Sequence, residues 1–225
     1  MTKIDEALMR KISEGRQLRR NDAHPEFRAL EQGSDDSMIV QGHFTTFNEQ
    51  YLLYKCGIYT VYEQIDRHAF DECDMSDVIM QFDHRGRVYA RNRNNTLEIS
   101  FDDVGGVARA DLSKASEGEG LYNDIKNGLV DRMSFAFTVD EEKREVTEDY
   151  ETGNITILRT ITKIGKLYDV SAVSIPANDG TDISARSFVD GVIEELEAER
   201  LSAEKREMAR RRLKLKLKME EKKNV

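Results

Sequence analysis

Three side chains have types that could act together in hydrolysis: a serine, a histidine and a carboxylate. Ser134 lies in the segment Met133-Ser134-Phe135-Ala136-Phe137-Thr138-Val139. In an extended strand, the large apolar side chains of this segment share one face and the small ones share the other, which leaves room to approach the Ser134 hydroxyl. Serines are common on the exposed side of strands, however, and a serine hydroxyl needs a neighbouring base to become nucleophilic. Ser134 therefore indicates an active site only together with such a base.

A base must come from one of four histidines: His24, His43, His68 and His84. The last of these ends the apolar segment 78–84, where a catalytic base would be held by a strand yet open to substrate. A half-buried polar residue at a strand end would show the same pattern. His24 lies in a polar N-terminal segment, His43 in a normally alternating strand and His68 in a polar stretch, so we interpret these three as structural. His84 is the candidate base, and we expect it on a strand next to that of Ser134, within hydrogen-bonding reach.

A third group would have to orient the imidazole and stabilise its positive charge. No histidine follows Ser134, so this partner is sought among the carboxylates. Asp169 shares one face of a predicted strand with Leu167, Ser171 and Val173, and a carboxylate among such neighbours usually has a partner. A strand-end charge that reaches solvent is the alternative for Asp169. The acidic residues between 141 and 151 have the pattern of a solvated loop.

The elements around these residues are mainly short strands between residues 38 and 177. Residues 96–112 predict a hairpin, because apolar residues alternate with polar ones on both sides of the turn at Gly105-Gly106. Residues 119–127 predict a helix that stops at Gly128. Further strands are predicted at 133–139, 155–164 and 167–175.

The two ends of the chain differ from this β-rich middle. Residues 1–37 are polar, with a weak helical pattern, and we interpret them as an N-terminal extension outside the core. Residues 181–225 form a charged tail, helical from Phe188. Residues 213–218 alternate Leu and Lys with period two, which does not suit an amphipathic helix. One interpretation is that this segment becomes ordered only when it binds a partner.

Charge and composition exclude several classes of function. The net charge is −9, but residues 200–225 carry +7, which leaves −16 on residues 1–199 and opposes binding to a nucleic acid. No apolar run reaches the roughly 18–20 residues of a membrane helix, and the N-terminus lacks the pattern of a signal peptide, so we expect neither export nor a membrane. Cys56 and Cys73 do not have a metal-ligand spacing, and no cofactor is expected.

The ordered set of motifs resembles the phage prohead protease family, serine peptidases that mature tailed-phage capsids and are distantly related to herpesvirus assembly proteases. The resemblance covers about residues 38–180, in six stretches: Gln41-Gly42-His43-Phe44 with Phe47-Asn48, residues 62–65 with Ala69-Phe70, Asp77-Val78 leading to Asp83-His84, Leu97 through the Gly105-Gly106 turn, residues 128–137, and residues 169–174 before Pro176-Ala177. No single stretch is specific, whereas their order is.

The family's base and nucleophile correspond to His84 and Ser134. The acidic third member, commonly Glu, corresponds to Asp169, which is shorter than the usual residue. The implied fold is α+β, a mixed but mainly antiparallel barrel-like β domain (residues 38–180) with peripheral helices, flanked by charged helical extensions.

The resemblance also implies a role. The chain would be a serine endopeptidase that cleaves the major capsid protein or its scaffold segment, and itself. It would act inside the assembling procapsid, in the host cell cytoplasm. Assembly of the protease into a homo-oligomer is left open.

Three other functions fit part of the sequence. A non-enzymatic capsid scaffold protein would also combine an acidic body with a basic tail. A metal-dependent hydrolase could draw on His68, Asp74, Asp83 and His84, but their spacing matches no known ligand motif. A nucleic-acid binder could use residues 205–218, yet no aromatic platform accompanies that basic run.

Overall fold

The computed structural model describes residues 15–21, 27–30, 37–174 and 183–221, and these are mostly β-strand with few helices. The strands are β1 (Gln17–Asn21), β2 (Arg28–Ala29), β3 (Ile39–Thr46), β4 (Tyr51–Cys56), β5 (Tyr59–Ile65), β6 (Ile79–Phe82), β7 (Arg85–Arg91), β8 (Leu97–Phe101), β9 (Gly105–Asp111), β10 (Arg132–Glu148) and β11 (Ile155–Val173). The helices are α1 (Gly118–Lys126) and α2 (Ile183–Glu221), with short 3₁₀ turns at Asn92–Asn94 and Leu112–Lys114. The predicted α+β class, dominated by strands, is confirmed.

A seven-stranded sheet is built on the long hairpin of β10 and β11. These strands pair antiparallel along their length, with Ser134 opposite Ser171. The other edge of β11 pairs in parallel with β5 along its first half and with β6 along its second half. Irregularities between Ala136 and Glu142 interrupt the register of the hairpin, and such bulges increase the local bend and twist. The sheet is therefore mixed, as the family resemblance implied.

The segments 155–164 and 167–175 were predicted as two strands, and this is wrong. β11 runs through Gly165 and Lys166 without a break as one strand of 19 residues. A glycine usually weakens a strand. Here the next residue, Lys166, pairs with Thr138 of β10 and also forms a β-bridge with Asp74, and these pairings keep the strand continuous.

A four-stranded sheet, in the order β2-β3-β9-β8, contains the predicted hairpin. Residues 97–101 pair with residues 106–110, so the predicted hairpin is confirmed. The predicted position of the turn at Gly105-Gly106 is wrong, because both glycines belong to β9 and the turn lies just before them. Asp102 closes the turn, because its carboxylate accepts hydrogen bonds from the backbone N–H groups of Val104 and Gly105. Such bonds from an aspartate to the backbone two or three residues on are a recurrent device of turns.

Phenylalanine rings from both sheets form the centre of the core. Phe44 of β3 meets Phe135 of β10 at 5.6 Å between ring centroids, and Phe135 stacks on Phe137 at 4.6 Å. All three are at most 2% exposed. The predicted apolar face of the segment 133–139 is thus the inner face of the larger sheet, which places Ser134 on its opposite face.

Helix α1 confirms the predicted helix to within one residue at each end. Leu121, Tyr122 and Ile125 are buried against the core. Gly128 follows the helix with a φ of +71°, a left-handed conformation that glycine adopts without steric cost.

Two expectations about the architecture are not met. Strand pairing does not close either sheet into a barrel within the described residues. The prediction that residues 1–37 stand outside the core is also wrong for their described part: β1 pairs with β10, β2 pairs with β3, and Phe27 is 4% exposed within the core. These strands are too short and too polar for the alternation of apolar residues to reveal them. The domain boundaries at residues 38, 180 and 181 remain predictions.

The chain divides into two units, residues 1–185 and 186–225. Nearly all described residues of the second belong to α2, which continues through the period-two segment at 213–218. No described helix is long and apolar enough to cross a membrane.

A pair of glycine substitutions tests the close approach of β9 to β3 within the four-stranded sheet. A Cβ on Gly105 would lie 1.9 Å from the backbone oxygen of Thr45, whereas one on Gly120, exposed in α1, would meet nothing within 4 Å. We expect Gly105→Ala to lower the free energy of unfolding by about 1–3 kcal/mol, because the backbones of β9 and β3 would have to move apart to admit the methyl group. Gly120→Ala should raise it by up to about 1 kcal/mol, because alanine favours the helix.

Denaturant unfolding of the two variants and the parent measures both changes. Equal stability of the Gly105→Ala variant and the parent would contradict the close approach of β9 to β3.

Candidate active site

Ser134 lies near the start of β10, between β1 and β11. Across β10, its register partners are Arg20 and Ser171. Its neighbours Met133 and Phe135 point into the core, and Ser134 itself is buried, at 5% exposed. The room predicted beside the hydroxyl is therefore largely filled, and the neighbouring strand on one side, β1, comes from the N-terminal segment.

His84 was predicted as the last residue of a strand over 78–84, but β6 ends at Phe82 and His84 lies in the two-residue turn between β6 and β7. Phe82 pairs with Arg85, and the residues between them, Asp83 and His84, have φ values of +48° and +56°. Two successive left-handed residues are typical of a type I′ turn, which commonly contains Asn-Gly. A histidine at such a position is uncommon, and unusual backbone conformations of this kind concentrate at functional sites.

The prediction that His84 and Ser134 lie on neighbouring strands is wrong. β11 separates β10 from β6, so the histidine reaches the serine past the end of an intervening strand. The expected proximity is nevertheless met, because the Nε2 atom of His84 lies 2.6 Å from the Oγ atom of Ser134.

Asp169 lies on the same face of the sheet, on β11 opposite Ala136. Its Oδ1 atom is 2.5 Å from Nδ1 of His84 and accepts a hydrogen bond of 2.8 Å from the Ser171 hydroxyl. At 2% exposed, the carboxylate does not reach solvent, which rules out the alternative of a solvated strand-end charge. Ser134, His84 and Asp169 thus form one continuous hydrogen-bonded chain.

The chemistry of the three groups fixes the direction of these hydrogen bonds. An ionised carboxylate only accepts, so Nδ1 of His84 carries the proton that it donates to Asp169. In the neutral ring, Nε2 is then an acceptor aimed at the Ser134 hydroxyl. This is the arrangement in which an imidazole removes a proton from a serine while a carboxylate stabilises the resulting positive charge.

Asp83 fastens the turn that carries His84, a function that was not predicted from the sequence. Its two carboxylate oxygens accept hydrogen bonds from the backbone N–H and the hydroxyl of Ser174, at 2.9 and 2.7 Å. Its own N–H donates to the carbonyl of Ala172 at 2.9 Å. The turn is therefore tied to the end of β11, the strand that also carries Asp169. An aspartate followed by histidine at a strand end is the only available signal, and it is shared by many unrelated turns.

β1 lies beside the candidate nucleophile, paired with the edge of β10. Ser134 Oγ is 2.8 Å from the backbone carbonyl oxygen of Arg19, to which it can donate a hydrogen bond. A hydroxyl has one proton, so this carbonyl and Nε2 of His84 compete for it. The backbone of β1 is thus in direct contact with the candidate nucleophile.

The Arg19 side chain enters a buried cluster of charges. Its guanidinium donates to both carboxylate oxygens of Glu63, which also accepts bonds from Arg159 and from the Tyr51 hydroxyl. Burial alone would raise the pKa of Glu63, but the charges and hydrogen bonds of Arg19 and Arg159, with the Tyr51 hydroxyl, outweigh it and hold this pKa at about 2. Burial and the negative charge of Glu63 raise the pKa of Tyr51 well above its usual value, so its hydroxyl stays protonated and donates.

A cleft of about 510 Å³ adjoins His84 and Asp169. Its lining includes the cationic side chains of Arg16, Arg85, Arg91 and Lys166. Such a cleft can hold part of an extended chain beside the three-residue site.

The other sequence candidates lie apart from this site. His43 contacts Asp102 and His68 contacts Asp71, while His24 falls outside the described residues. Of the residues proposed for a metal site, Asp74 binds Lys166 and Asp83 binds Ser174, so they do not converge with His68 and His84. Within the described residues, no three His, Cys, Asp or Glu side chains are grouped as metal ligands would be.

Comparison with known proteins bears on the whole chain. Among solved structures, the capsid assembly protease of bacteriophage T4 is similar, with 13% identity and a TM-score of 0.40, over 72% of this chain and 99% of that one. No curated protein matches. The family model of the caudovirus prohead serine proteases matches residues 24–192. Because this match spans most of the sequence, including all three residues of the hydrogen-bonded chain, the protein belongs to the caudovirus prohead serine protease family.

Proposed function

We propose that the protein is a serine endopeptidase of procapsid maturation in which Ser134 is the nucleophile, His84 the general base and Asp169 the orienting acid. The observation that carries this assignment is the unbroken set of hydrogen bonds from Ser134 through His84 to Asp169, in a member of a serine protease family. The competing scaffold function would not require a serine and a histidine in contact.

Each residue has one task in the reaction. Nε2 of His84 takes the Ser134 proton as Oγ bonds to the carbonyl carbon of the scissile peptide. The tetrahedral intermediate collapses, the C–N bond breaks, and His84 gives the proton to the leaving amine. Water then attacks the acyl-enzyme, with His84 again accepting and returning a proton, and the product carboxylate leaves. Asp169 keeps its negative charge throughout and stabilises the imidazolium.

The substrates are the major capsid protein or its scaffold segment, encountered inside the assembling procapsid. The position of β1 indicates how such a substrate binds. An extended peptide that replaced β1 would pair with the edge of β10, a recognition mode in which main-chain hydrogen bonds supply affinity and side-chain pockets supply selectivity. This mode requires an unfolded or extended segment, which the flexible parts of capsid and scaffold proteins would provide.

The same geometry supports self-processing. The carbonyl oxygen of Arg19 lies 2.8 Å from the hydroxyl of Ser134, so the nucleophile contacts a peptide group 115 residues earlier in its own chain. While β1 is in place, another peptide cannot reach Ser134. Cleavage or displacement of β1 therefore precedes cleavage of other proteins.

Substitution of the three site residues tests the mechanism. Ser134→Ala and His84→Ala should each lower kcat for peptide cleavage by several orders of magnitude, and the double variant should lose little more, because the residues act as a unit. The loss of kcat in Asp169→Ala should be roughly 10–100-fold smaller than the loss in Ser134→Ala or His84→Ala. Asp169→Glu should retain measurable activity, whereas Asp169→Asn should lose most of it, since the charge that stabilises the imidazolium is gone.

Peptide hydrolysis and labelling of Ser134 by a fluorophosphonate measure these effects, with folding checked by circular dichroism. Ser100→Ala and His68→Ala, both on the surface, are matched controls that should behave as the parent does. If Asp169→Ala cleaved as fast as the parent, Asp169 would not be the third member.

Self-processing has its own test. The parent should lose an N-terminal fragment on incubation, detected by intact mass, while Ser134→Ala should keep its full length because it lacks the nucleophile. Ser100→Ala should be processed like the parent. Shortening of purified Ser134→Ala on its own would show that another protease removes the segment.

Substitution of Asp83 tests whether the turn must be fastened for His84 to act. Asp83→Ala removes both acceptors of Ser174, and we expect kcat to fall about 10–100-fold with little change in KM, because an imidazole misplaced by about 1 Å transfers protons poorly. Asp83→Asn, which tolerates the left-handed backbone and keeps one acceptor oxygen, should restore most of kcat. Ser174→Ala, which keeps the backbone bond, should cost less than Asp83→Ala. A fall in thermal stability with unchanged kcat would mean that Asp83 only stabilises the fold.

A further inference from the structure

The buried cluster around Glu63 includes Arg19, which belongs to β1, the strand beside the candidate nucleophile. Both oxygens of Glu63 receive hydrogen bonds from the Arg19 guanidinium, from Nε and from Nη2, the latter at 3.0 Å. The two side chains are 4% and 0% exposed. This is a two-pronged contact between arginine and carboxylate, removed from water.

The same residue presents its backbone to the candidate active site. While the Arg19 side chain contacts Glu63, its carbonyl oxygen lies 2.8 Å from Ser134 Oγ. In a protease, the residue whose carbonyl meets the nucleophile is the one that precedes the cleaved bond, and its side chain fills the main specificity pocket. The Arg19 carbonyl contacts the candidate nucleophile, and the Arg19 side chain is buried against Glu63.

We propose that the cavity holding the Arg19 side chain is the specificity pocket of the enzyme, that Glu63 at its base selects an arginine before the cleaved bond, and that Arg19–Arg20 is the bond cut in self-processing. The proposal rests on the proposed function, because β1 defines the pocket only if it lies where substrates lie.

The environment of Glu63 explains why the pocket favours a cation. With Arg19 in place, the buried Glu63 carboxylate pairs with two guanidinium groups, those of Arg19 and Arg159. When β1 leaves, Arg159 remains, and it is shared with Glu142, which also pairs with Arg144. Glu63 then loses one of its two cationic partners, and because a buried carboxylate with poorer compensation is unfavourable, a substrate that brings a cation is favoured over one that does not.

The geometry selects arginine over lysine. Glu63 is contacted by two nitrogens on one edge of the guanidinium, and a planar fork of this kind matches a carboxylate with two hydrogen bonds. An ammonium group has a shorter reach and does not present a planar fork to the carboxylate. Lysine would keep the charge and lose the paired hydrogen bonds.

Gln17 adds a second element of selectivity. Its Oε1 atom accepts hydrogen bonds from Nη2 of Arg19 at 2.8 Å and from Nη1 of Arg159 at 2.9 Å. A carbonyl-bearing side chain two residues before the arginine therefore completes the cluster. The recognised segment has the form Gln-x-Arg.

Peptide cleavage by the full-length protein, as purified, tests the proposal. The probes are four acetylated tripeptide coumarin amides, Gln-Leu-X, in which X is Arg, Lys, Gln or Glu. We expect kcat/KM for X = Arg to exceed that for Gln or Glu by on the order of 100-fold, and that for Lys by about 10-fold. Intact mass should place the self-cleavage between Arg19 and Arg20, and Arg19→Glu should abolish cleavage at that bond.

Glu63→Gln is the matching change in the pocket. This variant should bring the ratio of kcat/KM for the Arg peptide to kcat/KM for the Gln peptide close to one. Fluorophosphonate labelling of Ser134 in the variant shows whether the active site is intact. Glu72→Gln, on an exposed carboxylate that contacts Lys163, is the control and should keep the parent's ratio. The substrate series on the parent stands by itself if the Glu63 variant fails to fold.

The possible results separate this inference from the proposed function. Cleavage of the Glu or Gln peptide as fast as the Arg peptide, by an enzyme that labels at Ser134, would overturn the arginine pocket and leave the serine protease standing. Absence of both labelling and cleavage in the parent would overturn the proposed function itself, and the pocket with it.

Discussion

The buried carboxylate of Asp169 is the constraint on which the arrangement of the site depends. A carboxylate that is almost removed from water costs several kcal/mol unless donors compensate it. Here the donors come from two directions, the Ser171 hydroxyl on the same strand and Nδ1 of His84 from the β6–β7 turn. Because the imidazole is required as a donor at Nδ1, its other nitrogen faces Ser134 as an acceptor. One buried charge thus fixes both the position and the tautomer of the histidine.

β11 is the element that makes this possible, because it lies between the strands that supply the other two groups. Its second half pairs with β10 on one edge and with β6 on the other. Ser134 and Asp169 consequently lie on one face, and the turn after β6 can reach over the end of β11. Asp83 then secures that turn to Ser174, directly beyond the strand. The register of β11 with its two neighbours therefore determines the distances within the site.

The sequence predicted what depends on local pattern. Alternation around Phe135 and in residues 96–112 predicted a core face and a hairpin, and Gly128 predicted the end of a helix, because these signals act over a few neighbouring residues. Residue type and position singled out the three site residues, the family resemblance supported them, and the structure brings them into contact.

Other features depend on contacts between distant residues and could not be predicted in this way. Strand order is one of them, since no local signal showed that β11 separates Ser134 from His84. The role of β1 is another: no local pattern marks the charged residues Arg19 and Glu63 as buried, and both are buried because their charges compensate each other. The hydrogen bonds of Asp83 to a residue 91 positions away leave no trace in a local pattern.

The ion pair of Arg19 and Glu63 also restricts how β1 can be released. Although burial opposes ionisation, the two arginines hold the pKa of Glu63 at about 2, below its usual value. A carboxylate whose pKa is lower in the folded state stabilises that state above its unfolded pKa of about 4.3. This stabilisation is lost only as the pH falls towards 2. At neutral pH Glu63 is fully ionised with Arg19 in place, so a moderate acidification does not detach the strand. In the proposed mechanism, β1 is removed by covalent cleavage next to Ser134 or by competition from another peptide with a suitable cation, so its release would depend on the same chemistry that it blocks.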